Sequence, residues 1–92
     1  MNYRIFETEG FLEDLQQDFQ RRYAKIKQKL AEYLYPQLAL SPAYGPHIRK
    51  LKGYQPETWR FRIGDYHFFY QIDETEKIVF LIAADHRKQS YR

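Results

Sequence analysis

The chain has 92 residues, with 15 Lys or Arg against 12 Asp or Glu, a formal net charge of +3. That length suits one domain with a single core, expected over residues 1–92, and the absence of cysteine excludes a disulfide framework, a thiolate metal site and a Cys nucleophile. The longest apolar stretch, residues 78–84, falls far short of the roughly 20 residues that span a bilayer and the first residues carry no apolar signal core, so the expectation is a cytoplasmic protein without a membrane partner.

Residues 2–7 alternate Tyr3 and Ile5 against Arg4 and Phe6, the pattern of a first strand, and Thr8 is a candidate N-cap for a helix. Leu12, Leu15, Phe19, Tyr23, Ile26, Leu30 and Leu34 then recur at spacings of three and four, one side of a helix. The periodicity permits one long helix to about Leu34, or two helices with a break near residues 18–21. Pro36 and then Ser41-Pro42-Ala43-Tyr44-Gly45-Pro46 predict a surface loop of roughly ten residues.

After Gly53 the pattern changes to strands. Two aromatic- and Ile-rich runs flank Gly64-Asp65, and Gly first in a two-residue loop is the signal of a type II′ hairpin turn. Such a loop sets the register: Ile63 faces Tyr66, Arg62 faces His67, Phe61 faces Phe68, Arg60 faces Phe69 and Trp59 faces Tyr70. With period-2 alternation, Trp59, Phe61, Ile63, Tyr66, Phe68 and Tyr70 line a core face, and Arg60, Arg62, His67, Phe69 and Gln71 line the other. Arg60 and Arg62 repel one another on that face unless an anion or carboxylate lies between them. Residues 78–84 read as a central strand buried on both faces, and the tail Asp85-His86-Arg87-Lys88-Gln89-Ser90-Tyr91-Arg92 comes directly after it.

The acidic residues fall mainly in the N-terminal third and in Asp73-Glu74-Thr75-Glu76. His47, Arg49, Lys50, Lys52, Arg60, Arg62, His67, His86, Arg87, Lys88 and Arg92 crowd the C-terminal half, which suits a nucleic-acid backbone. Lys50, Lys52, Arg60, Phe69 and Lys88 are the candidate nucleic-acid-binding residues. His86, Arg87 and Tyr91 stand where a strand end projects a titratable group, a fixed cation and a phenol over the polar hairpin face. The three histidines, His47, His67 and His86, lack metal-ligand spacing, and no Gly-rich phosphate loop or Gly-x-Ser-x-Gly elbow is present. Neither a metal nor another cofactor is expected.

Leu51-Lys52-Gly53, then residues 59–72, then an apolar strand closing in His86-Arg87 with Tyr91 four residues on, resemble the RelE/ParE superfamily of toxins from prokaryotic toxin–antitoxin pairs. The resemblance spans most of the chain. It implies an α+β fold with an N-terminal strand, a helical hairpin and a three-strand antiparallel meander, together a twisted four-stranded sheet. It also implies growth inhibition, by cleavage of mRNA on the ribosome in the RelE branch or by poisoning DNA gyrase in the ParE branch, with a cognate antitoxin as partner. Arg60 and Arg62 match the family's two cations on the first hairpin strand, Arg87 and Tyr91 match its C-terminal Arg and Tyr, and His67 stands where an Arg is usual. The RelE-like reading makes the chain an endoribonuclease that uses a nucleotide's own 2′-OH as nucleophile. His67, Arg62, Arg87, Tyr91 and His86 are then the candidate catalytic residues. His67 is the expected base, its neutral form favoured by the arginines around it; His86 or Tyr91 is the acid, or Tyr91 instead stacks on an unpaired base, and the sequence leaves these alternatives open.

Overall fold

The computed structural model describes residues 2–18 and 20–86. Strand β1 (Arg4–Glu7) leads into helix α1 (Glu9–Asp18), and a 3₁₀ turn (Gln20–Arg22) precedes α2 (Tyr23–Lys29). A π turn (Leu30–Leu34) and α3 (Tyr35–Leu40) continue that second helical run. Four more strands follow among the described residues: β2 (Ile48–Lys50), β3 (Trp59–Ile63), β4 (Tyr66–Asp73) and β5 (Ile78–Asp85). They form one sheet of five strands in the order β1-β5-β4-β3-β2, with β1 parallel to β5 and the other pairs antiparallel. The four strands expected from the sequence thus gain a fifth, β2.

Thr8 is the N-cap. Its Oγ1 accepts the N–H of Phe11 at 3.3 Å and donates to the carbonyl of Leu81 at 2.7 Å, so the group that starts α1 also ties it to β5. The helical period breaks at the 3₁₀ turn, which decides for two helical segments over one. The second segment runs past Pro36, against the expectation of a loop there. The N–H of Tyr35 bonds the carbonyl of Leu30 five residues back, and this wider turn sets Pro36 at the start of α3, where a missing N–H costs little.

One face of the sheet packs on the helices. Phe11 and Leu15 of α1, with Ile26, Leu30, Leu34 and Leu38 of the second run, meet Phe61, Phe68, Tyr70, Val79, Leu81 and Ala84 from the strands. Each such side chain fully buried contributes about 1.5–3 kcal/mol. The hairpin register is the expected one at all five pairs. Gly64 has φ +59, as its place in a type II′ turn requires. On β5 only one face is fully buried, through Val79, Leu81 and Ala84, while Ile78, Phe80 and Ile82 are half-buried. The strand carries a bulge: Phe69 pairs with Ala83 but Tyr70 with Leu81, so Ile82 is the extra residue. Past the end of β1, the N–H of Ala84 finds its acceptor in Asp14 Oδ2 on α1, at 3.0 Å.

Candidate functional site

The sheet face away from the helices carries the charge. Arg62 lies opposite His67 and Arg60 opposite Phe69, and His67 pairs in turn with Asp85 of β5. Residues directly opposed in antiparallel strands share a face, so Arg62, His67 and Asp85 form one row across three strands. His67 and Asp85 are 8% and 6% exposed. An open polar hollow of about 390 Å³, lined by Arg60, Arg62, Gly64, Asp65 and His67, reaches this row from solvent.

The register adds a residue that the sequence reading counted among the clustered cations but did not place in the site. Arg49 of β2 is the cross-strand partner of Arg60, which places three arginines together. The Nε of Arg60 is buried and has no hydrogen-bond partner. Burial lowers the Arg60 pKa first, and the nearby charges of Arg49 and Arg62 lower it further. A positively charged group held under those conditions is stabilised by an anion, which is what this arrangement can bind.

The remaining candidates divide. Lys50, one position along β2, is on the opposite face. Its ammonium lies 3.2 Å from Glu57 and 5.9 Å from the centre of the Trp59 ring, so the cation beside Arg60 is Arg49 and not Lys50. Lys52 is exposed in the turn after β2, apart from the arginines. Phe69 shares the charged face, but at 2% exposure its ring offers no surface on which a base can stack. Its centroid is 6.4 Å from that of His67, so it walls that histidine. His86 is not gathered with His67. Its ring packs on Tyr66, centroids 4.7 Å apart, on the helix side of the sheet. There Arg22 donates to the Tyr66 hydroxyl at 2.9 Å and lies 3.4 Å from His86 Nε2. Arg87, Lys88 and Tyr91 lie outside the described residues. Among the described residues no three of His, Asp and Glu come together as a metal site.

Sequence reasoning counted Arg49 among the cations but not in the site, because three residues with one apolar position show no strand alternation. The signal was indirect: once Ile48 packs against the core, Arg49 must face away from it. The sequence places Asp85 only at the start of the tail, whereas the β4–β5 register carries it to His67.

Comparison with known proteins agrees with this architecture. The ParE toxin of the type II toxin–antitoxin system parDE is the family whose sequence model matches, over residues 8–91. No curated protein matches the sequence. Among solved structures, the RelBE2 toxin–antitoxin complex of Mycobacterium tuberculosis superposes with a TM-score of 0.71 at 22% identity, covering 95% of this chain and 100% of that one. The YoeB/ParE toxin of Agrobacterium tumefaciens gives 0.67 at 20%, covering 89% and 96%. The intact E. coli RelBE toxin–antitoxin complex gives 0.62 at 23%, covering 98% and 99%. At these identities the likeness to the solved structures is one of fold. The family match spans nearly the whole chain, and the chain belongs to the ParE toxin family of type II toxin–antitoxin systems.

Proposed function

We propose that this ParE-family toxin stops growth as an endoribonuclease that cuts mRNA on the ribosome. The bond is broken by transesterification: a ribose 2′-OH attacks its own 3′ phosphate and expels the next 5′ oxygen, leaving a 2′,3′-cyclic phosphate and a 5′-hydroxyl end. No metal is required. His67 takes the proton from the 2′-OH. Arg60, Arg62 and Arg87 hold the phosphate where negative charge gathers in the transition state. Tyr91 either returns a proton to the leaving oxygen or stacks on an unpaired base. Lys52 and Lys88 add long-range attraction for the RNA backbone.

The observation that supports this reading most is the pairing of Arg62 with His67 beside Arg60, with a solvent-open hollow over all three. It joins a group able to change charge near neutral pH to fixed cations. His86 packs on Tyr66 beside Arg22, on the other face of the sheet from His67, so this reading favours Tyr91 over it as the acid. A cognate antitoxin is the expected partner, since two of the structural neighbours are toxin–antitoxin complexes. The target is cytoplasmic, and among the described residues no helix is long and apolar enough to cross a membrane.

Inhibition of DNA gyrase without chemistry is the second reading, favoured by the ParE family match itself. Brief induction and then mapping of new 5′-hydroxyl ends separates the two. Ends clustered within translated codons, lost in a His67→Gln variant, support the nuclease. Intact mRNA together with accumulated gyrase–DNA cleavage complexes would replace it with the second reading.

A further inference from the structure

The hollow over Arg62 and His67 has a neighbour. A second one, of about 310 Å³, is lined by Pro46, His47, Ile48, Arg49, Arg60 and Arg62. Arg60 and Arg62 line both hollows, so the two adjoin across β3. The first is bounded by His67 and the second by Arg49 and His47. Side chains directly opposed across an antiparallel pair start about 5 Å apart, which is the relation of Arg49 to Arg60. Positions i and i+2 on a strand stand about 7 Å apart, which is the relation of Arg60 to Arg62. Three permanently charged groups are therefore crowded on rigid strands. Asp65 lines the first hollow, but among the described residues no ion pair joins a carboxylate to any of the three arginines. The buried Nε of Arg60 is left without an acceptor between them. Such a cluster is unfavourable in isolation and becomes favourable once anions fill it, because each guanidinium presents a planar fork to phosphate oxygens.

We propose that the hollow at Arg49 takes the phosphate adjacent to the scissile one, so that Arg49 grips that phosphate of an RNA strand, Arg62 and His67 address its scissile neighbour, and Arg60, which lines both hollows, serves the two. This rests on the reading of the outer sheet face as the RNA-cleaving site, and it adds to that reading a second subsite and a residue, Arg49, that acts in binding and positioning. The two hollows sit side by side along the sheet, as two phosphates flank one sugar. Gripping both sets the strand's register against His67, which a single phosphate contact leaves free to rotate.

The test uses thymidine 3′,5′-bisphosphate, which carries two phosphates on one sugar and has no 2′-OH to react, against thymidine 5′-monophosphate. Both are titrated calorimetrically into the full chain at fixed low ionic strength. The wild type should bind the bisphosphate about tenfold or more tightly than the monophosphate, the gain of one added charge-assisted fork. Arg49→Ala should bring the bisphosphate down to the monophosphate level and leave monophosphate binding within about twofold. Arg49→Lys should keep part of the preference, because a point charge remains without the fork. Arg49 is exposed, so neither change disturbs the core. A preference for the bisphosphate that survives Arg49→Ala would overturn the second subsite while leaving the cleavage reading intact. Absence of binding by either nucleotide, or binding that is unchanged by Arg62→Ala, would instead remove the phosphate-binding face on which both rest.

Discussion

Replacing Phe68 by Ala, with Arg62→Ala as its control, tests the division of the hairpin into a core face and a charged face. Phe68 is 0% exposed. It lies between Phe61 of β3 and Ala84 of β5, and its ring meets that of Phe11 at 6.5 Å between centroids, tilted by 59°. Burying such a side chain contributes about 1.5–3 kcal/mol, the aromatic contact adds about 0.5–1.5 kcal/mol, and the cavity left behind brings the loss to about 3–5 kcal/mol. A domain of this size holds only about 5–15 kcal/mol in total. The variant should therefore lose a large part of its stability, with a melting temperature lower by about 4–8 °C for each kcal/mol. Arg62 is exposed and shares its face with Arg49 and Arg60. Its removal should change stability by less than about 0.5 kcal/mol, and any gain from relieved repulsion should shrink as salt is added. Urea unfolding monitored by circular dichroism measures both, with the denaturant slope as the check that the two variants unfold the same way. Equal losses in Phe68→Ala and Arg62→Ala would refute the assignment, because Arg62 would then be a buried structural ion.

In single-turnover assays on programmed ribosomes, His67→Gln should bind normally and cleave about 10²-fold more slowly, the range for losing acid–base help; a wild-type rate would exclude His67 from proton transfer. Burial raises the pKa of Tyr70 well above its ordinary value of 10.0. The unfolded chain therefore loses that proton first, and the stability tied to it is intact below about pH 10 and lost as pH rises further. Tyr70→Phe should give up about 1 kcal/mol at neutral pH with its 2.6 Å hydrogen bond to the Pro42 carbonyl. It should then show a shallower alkaline decline in urea midpoints, and parallel declines would show that the phenol titrates alike folded and unfolded. Asp14→Ala strands the N–H of Ala84 and should cost about 1–3 kcal/mol, with amide exchange faster at the end of β5 than elsewhere in the strand. Exchange raised equally across the whole sheet would mean that Asp14 has no local role there.

The hairpin was readable to the residue because one feature, Gly before Asp in a two-residue loop, determines the register of both strands. Every face assignment from Trp59 to Tyr70 came from it. Burial was less readable. Phe69 and His67 lie on the polar face as expected, yet both are covered, since alternation gives direction and not depth. The helix break at Gln20–Arg22 carries no Gly or Pro, so periodicity left two alternatives standing. Pro36 misled for the opposite reason: it breaks a regular helix but fits the start of a new turn once the π turn at Leu30–Leu34 has shifted the hydrogen bonding. The bulge at Ile82 was invisible, because an extra apolar residue in an apolar run alters no pattern. The cationic half of the chain was legible as composition, but which cations meet was not. Arg49 joins Arg60 and Lys50 leaves it through a strand too short to announce itself.

The parallel pairing of β1 with β5 joins Thr8 to Leu81 across 73 positions, and this has a consequence for synthesis. A chain made from its N-terminus presents β1 early, with no neighbour to receive it. β2, β3 and β4 pair with strands close to them in sequence, and without β5 the β4 edge of that arginine-bearing sheet stays open. β5 then enters between β1 and β4, completing the sheet and supplying Val79, Leu81 and Ala84 to the core in one step. Closure of the sheet therefore waits on β5, the strand that joins β1 to the rest. A chain that stops short of residue 78 is left as an unpaired edge, prone to aggregate.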